Sequence, residues 1–113
     1  MASFSTTDLD WQYRVNVRTP YILTQALLPM LKSRRVQIVF LSSDAGLSPR
    51  ANLGQYAPTK HALKAIADSL REEVNAEGPR VMSVFPGRTA SAMQAAVYQI
   101  EGIACHPELL LQP

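Results

Sequence analysis

Long amphipathic stretches alternate along the chain with short, almost wholly apolar runs. Ser5, Thr6, Thr7 and Asp8 offer N-caps, and Thr7-x-x-Asp10 is an acidic variant of the capping box. Beyond them Trp11, Val15, Ile22, Leu23, Ala26, Leu27 and Met30 recur at helical spacing on a broad stripe, which predicts a helix over about 8–31. Pro29 falls near its end. Pro20 falls inside it, where a proline normally costs about 3 kcal/mol. The run VQIVFL, 36–41, predicts a strand with the composition of one buried on both faces of a parallel sheet. Gly46 and Pro49 mark a loop over 44–52. A second helix is predicted over about 54–76. Leu63, Ile66, Leu70 and Val74 form its buried stripe, with Arg71, Glu72 and Glu73 opposite, and Gly78-Pro79 stops it. Residues 80–85 read as a second strand ended by Pro86-Gly87. A short helix over 90–100 is compatible with the remaining pattern, and the tail HPELLLQP reads as the lead-in to another element.

The order helix, strand, helix, strand places a parallel crossover unit at the centre and predicts an α/β fold. Two strands make a poor sheet alone. An apolar strand with a long helix on each side implies more sheet than 113 residues hold, so the chain is expected to be one part of a larger α/β domain.

Composition narrows the function classes. Nearly half the residues are apolar and under a fifth are charged, as in a globular protein and unlike a disordered one. Net charge is +2 and the basic residues are scattered, with Arg34-Arg35 beside Lys32 the densest group. That argues against a nucleic-acid partner. One cysteine, Cys105, permits no intrachain disulfide, and His61 and His106 stand alone, so no metal-ligand spacing exists. A reducing cytoplasm is the expected compartment. The first residues do not form a secretory signal, and no apolar run approaches the ~18 residues of a membrane span.

Candidate chemistry gathers at one edge. In an open parallel sheet, ligands bind beyond the carboxyl ends of the strands. Ser42 and Ser43 end the first predicted strand, and Pro86 and Gly87 end the second. The crossover helix starts at that edge with Tyr56 and Lys60, one turn apart on a shared face. The first helix runs antiparallel to the first strand, so Asn16 in its early turns also lies there. Each residue alone has an ordinary use: a turn hydroxyl, a half-buried aromatic, a solvated lysine or amide. Their convergence on one rim favours a site.

With these residues the chain resembles the short-chain dehydrogenase/reductase family, whose members are NAD(P)-dependent oxidoreductases with a Rossmann-like, doubly wound parallel sheet. Tyr56-Ala57-Pro58-Thr59-Lys60 matches the family's Y-x-x-x-K pair, and Ser43, thirteen residues before the tyrosine, matches its serine. Val15-Asn16-Val17 matches the context of its asparagine, and Pro86-Gly87 the pair that ends the next strand. Ser91, four beyond that glycine, matches a hydroxyl that often contacts the nicotinamide carboxamide. The resemblance is close over about 8–89 and looser to Pro113. It implies Asn16, Ser43, Tyr56 and Lys60 as catalytic residues, and Tyr56, Lys60, Pro86, Gly87 and Ser91 as cofactor-binding residues. It implies NAD or NADP as cofactor, a small alcohol or carbonyl substrate, and no metal. It also implies a homo-oligomer formed through the helices at about 8–31 and 54–76.

The departures shape the expectation. The family's glycine-rich turn holds cofactor phosphates at a helix N-terminus. The five glycines here form no such grouping, and the Asn-Asn-Ala-Gly segment of the family's central strand is absent. The reading is therefore a single partial domain over 1–113, the catalytic half of the Rossmann-like fold without the glycine-rich half or the C-terminal end. The chain alone is expected to be inactive. The alternative is a non-catalytic remnant or a self-associating module.

The resemblance implies that the tyrosine exchanges the hydroxyl proton as hydride moves. A free phenol titrates near 10, and bringing one to ~7 requires about 4 kcal/mol. An ammonium ~4 Å away at an effective dielectric of ~20 supplies about that much. Lys60 would also bond the nicotinamide ribose, and Ser43 would orient the substrate oxygen. Pro20 cannot donate to the Asn16 carbonyl four residues earlier. In the family that carbonyl is thought to hold a water linking the lysine to solvent; a simple packing kink is the equal alternative.

Overall fold

The computed structural model describes residues 4–89, 91–92 and 95–96. A nearly continuous helical path opens the fold. It comprises α1 (Thr6–Tyr13), a π-helical segment Arg14–Arg18, and α2 (Thr19–Arg34). The cap is Ser5, whose hydroxyl accepts the Thr7 N–H at 3.1 Å, so the capping box expected at Thr7 is not used. In the π segment the Thr19 N–H reaches the Arg14 carbonyl five residues back, and the Thr19 hydroxyl donates to the same carbonyl at 2.8 Å. The ladder has taken in one extra residue ahead of Pro20. Pro20 therefore stands in the first turn of α2, where a missing N–H costs least, and not in mid-helix.

Strand β1 (Gln37–Leu41) pairs in parallel with β2 (Arg80–Val84), with Ile38 opposite Val81 and Phe40 opposite Ser83. Between them runs α3 (Tyr56–Val74), followed by a 3-10 turn Asn75–Glu77. Gly78 closes that turn at φ +110°, a conformation that side chains rarely adopt. The core lies between α3 and one face of the sheet: Phe40 and Val81 meet Leu63, Ala67, Leu70 and Val74, with Leu28 of α2 packed against them. Arg71 does not point away as expected. Its Nε donates to the Val81 carbonyl at 3.0 Å and its guanidinium pairs with Asp68, which fastens α3 to β2.

Only one sheet face is covered among the described residues. The expectation that β1 is buried on both faces is not met: Val39 and Leu41 are 54% and 65% exposed, and Met82 and Val84 beside them are also open. Helix α2 has no buried residue, although Tyr21, Ile22, Leu23, Leu27 and Met30 are large and apolar. The helix predicted over 90–100 and the HPELLLQP tail lie for the most part outside the described residues, although the Ser91 carbonyl accepts the Ala95 N–H.

Candidate active site

The main chain builds the rim. Beyond β1 the Ser42 N–H donates to the Val84 carbonyl at 2.8 Å, and the Asp44 N–H to the Pro86 carbonyl at 3.0 Å. These bonds carry the sheet pairing past both strand ends and hold Ser43 alongside Pro86-Gly87. The chain then turns through a 3-10 segment, Asp44–Gly46, capped by the Ser43 hydroxyl, which accepts the Ala45 N–H at 3.2 Å.

That turn packs hard against α3. A Cβ on Gly46 would lie 2.9 Å from the Lys60 carbonyl oxygen and 3.0 Å from Ser42 Oγ. Ser42, which is buried, donates its hydroxyl to the same Lys60 carbonyl at 3.3 Å. Sequence reading singled out Ser43 for chemistry and passed over Ser42 and Gly46, which dock the loop.

Ser43, Tyr56, Pro86 and Gly87 line one cavity of about 360 Å³ beyond the carboxyl ends of the strands. Arg50 and Arg88 also line it, and Arg50 is held by Asp44 at 2.7 Å. The Ser43 hydroxyl donates to Asp44 Oδ1 at 3.2 Å, so it presently has a turn partner as well as a place on the cavity wall.

Lys60 and Asn16 lie on a neighbouring cavity of about 420 Å³, walled by Pro20, Thr24, Leu63 and β1. From this second cavity Lys60 reaches toward the first: its Nζ stands 5.6 Å from the centre of the Tyr56 ring and donates to the Leu41 carbonyl at 3.5 Å. Burial holds its ammonium below the ordinary lysine range, because desolvation disfavours the charged form. Ser91 is exposed and is not among the lining residues of either cavity.

Asn16 is engaged through its side chain. Its Nδ2 donates to Thr59 Oγ1 at 3.1 Å, and the Thr59 hydroxyl donates to the Tyr56 carbonyl at 2.7 Å. One turn earlier, Gln12 Nε2 donates to Gln55 Oε1 at 3.1 Å, and Gln55 Nε2 donates to the Ser5 carbonyl at 2.7 Å. Sequence reading missed Thr59, Gln12 and Gln55. The one signal was a hydroxyl set between Tyr56 and Lys60.

A family model described as short chain dehydrogenase matches residues 1–102. Uncharacterized oxidoreductase YciK of Escherichia coli (strain K12) is 42% identical over 94 residues, 80% of this chain and 37% of YciK. The NADPH-dependent 3-dehydrocapnine reductase of Ornithobacterium rhinotracheale is 39% identical over 85 residues, 71% of this chain and 30% of that protein. Among solved structures, a short chain dehydrogenase from Escherichia coli CFT073 complexed with NADPH matches with a TM-score of 0.87 at 33% identity. That match covers 97% of this chain and 44% of the other. The chain thus spans less than half the length of each of these relatives.

Proposed function

This chain belongs to the short-chain dehydrogenase family, and we propose that it carries the catalytic half of an NAD(P)-dependent oxidoreductase acting on an alcohol or carbonyl substrate. The observation that supports the reading most is the shared cavity of Ser43, Tyr56, Pro86 and Gly87, with the Lys60 ammonium over the tyrosine ring.

The residues fit the nicotinamide end of the cofactor. A Cβ on Gly87 would meet nothing within 4 Å, so this glycine is not required by packing and leaves the rim open to a flat ring. Pro86 and Gly87 would flank the nicotinamide, and Tyr56 and Lys60 its ribose; Ser91, expected at the carboxamide, stands off the cavity wall. When bound, the cofactor supplies or takes up the hydride. NADP(H) is favoured over NAD(H) because relatives are NADPH-dependent or complexed with NADPH. The phosphate half of the cofactor has no glycine-rich turn in this sequence, so the 113-residue chain alone is expected to be inactive.

Tyr56 Oη would deliver a proton to the substrate oxygen during reduction, or accept it during oxidation. The Ser43 hydroxyl would turn from Asp44 to donate to that same oxygen and stabilise its developing charge. A unit positive charge 5.6 Å from the ring stabilises an anion there by about 3 kcal/mol at an effective dielectric of ~20, less where water screens it. Lys60 acts in this way through position, and Asn16 is placed beside it on the same cavity wall.

A second reading, an inactive self-associating module, is supported by α2. A helix of 16 residues with none buried calls for a partner. Between α2 and α3 an outer groove of about 380 Å³ is lined by Tyr21, Leu28, Ile66 and Leu70, and two copies could close it.

The test is a chimera in which this chain replaces the corresponding segment of the E. coli relative. NADPH fluorescence enhancement and carbonyl-dependent NADPH oxidation by the chimera, with neither from the chain alone, support the oxidoreductase reading. A folded, NADPH-binding chimera that oxidises nothing across a panel of aldehydes and ketones favours the second.

A further inference from the structure

Thr59 has no solvent-exposed surface, and its hydroxyl is spent in two directions. Its one proton goes to the Tyr56 carbonyl three residues back, a common habit of threonine in helices. The less common feature is what reaches its oxygen: the Asn16 amide, from the centre of the π segment of another helix. Thr59 itself is out of reach of solvent, although Asn16 is only half-buried. The Gln12–Gln55 contact repeats the arrangement one turn earlier on both helices, so the two rungs lie on matching faces. Gln55 directly precedes Tyr56, and Thr59 directly precedes Lys60.

We propose that Thr59 is a positioning residue whose buried hydroxyl couples the Asn16 side chain to the main chain of Tyr56. The coupling sets the turn of α3 that holds Tyr56 and Lys60 in register. Asn16 acts here through its amide, a role separate from any played by its carbonyl. The π segment has a purpose in this scheme: one extra residue in the ladder is what aims Asn16 at α3. The inference deepens the oxidoreductase reading and rests on it for the work of Tyr56 and Lys60. The contact itself does not depend on that reading.

The experiment uses the isotopically labelled 113-residue chain in solution. An ammonium over a tyrosine ring places the Lys60 ε-methylene protons in the ring current, so they should resonate upfield. Tyr56→Leu identifies that shift by abolishing it. Thr59→Val should remove most of the upfield shift and speed exchange of the Asn16 side-chain amide protons, while Thr59→Ser should keep both. Asn16 is only partly buried, so Asn16→Ala tests the same bond from a side that tolerates change. It should reproduce the loss, and the double variant should add nothing to it. The proposal is overturned if the upfield shift is absent from the wild type. It is also overturned if the shift survives both single variants, if Thr59→Ser loses it as fully as Thr59→Val, or if the losses add. No cofactor or turnover enters these measurements. A chain that passes them while the chimera fails to oxidise NADPH keeps the positioning claim and loses the oxidoreductase reading.

Discussion

Replacing Gly46 with alanine should damage the fold and the site together, whereas the same change at Gly87 should spare the fold. The added methyl at Gly46 lies 2.9 Å from the Lys60 carbonyl oxygen and 3.0 Å from Ser42 Oγ. The carbonyl is main chain, and α3 cannot back away freely because Leu63 and Ala67, about one and two turns on, are buried in the core. Overpacking of this kind costs about 1–3 kcal/mol. Displacing Ser42 from the Lys60 carbonyl adds up to ~1 kcal/mol for the lost hydrogen bond. In a domain this small each kcal/mol lowers the melting temperature by about 4–8 °C. Gly46→Ala should therefore melt roughly 4–30 °C below the wild type by circular dichroism. Gly87→Ala, with open space around it, should stay within about 0.5 kcal/mol of the wild type, and in the chimera it should weaken NADPH binding. Equal melting temperatures for Gly46→Ala and wild type would refute the packing of the Asp44–Gly46 turn on α3. So would an equal fall for both variants.

Three further outcomes are expected. Lys60 titrates below its ordinary value of 10.5, so in the window just under that value the unfolded chain holds the extra proton and stability rises with pH. Lys60→Met should flatten that alkaline rise in a melting-temperature series, and a rise as steep as the wild type's would show that the ammonium is not desolvated. Asp68 is held below the usual carboxylate range by hydrogen bonds from Lys64 and then Arg71. Its contribution is complete above the unfolded carboxylate value and is lost as pH falls through the folded one. Because the pairs are half exposed, Asp68→Asn should cost no more than ~1 kcal/mol at neutral pH, with the deficit vanishing in acid; a deficit that persists there contradicts the linkage. Tyr21→Glu, in the groove between α2 and α3, should weaken self-association in sedimentation velocity by about tenfold or more, about 1.4 kcal/mol. An unchanged association constant would contradict self-association through this groove.

Periodicity and apolar runs were enough for the helix–strand–helix–strand order. The bounds of β1, α3 and β2 differ from expectation by one or two residues. The helix ends at α1 and α2 were harder. Four adjacent residues could each cap; Ser5 does, and its carbonyl also accepts from Gln55 fifty residues away, a contact that only the fold creates. The π segment was not legible, because a proline signals a missing donor and not how the ladder rearranges around it. Arg71 was assigned to the solvent face by its position on the helix; the long side chain curls back to a strand carbonyl that only the folded sheet presents.

At the rim, spacing and topology were sufficient to bring Ser43, Tyr56, Pro86 and Gly87 to one cavity, with Lys60 beside it. What linked them was not visible. Thr59, Ser42 and Gly46 have the small or short polar side chains found in any turn or helix. Their importance comes from which main-chain atoms lie opposite them after folding.

The central claim is that Tyr56 exchanges the proton while hydride moves at this rim. The most direct measurement is the turnover of the Tyr56→Phe chimera beside that of its parent, with NADPH affinity measured on both. Loss of the proton-transfer hydroxyl should lower kcat by about 10²–10⁴-fold and leave the NADPH dissociation constant nearly unchanged. Undiminished turnover by the phenylalanine variant would contradict the account.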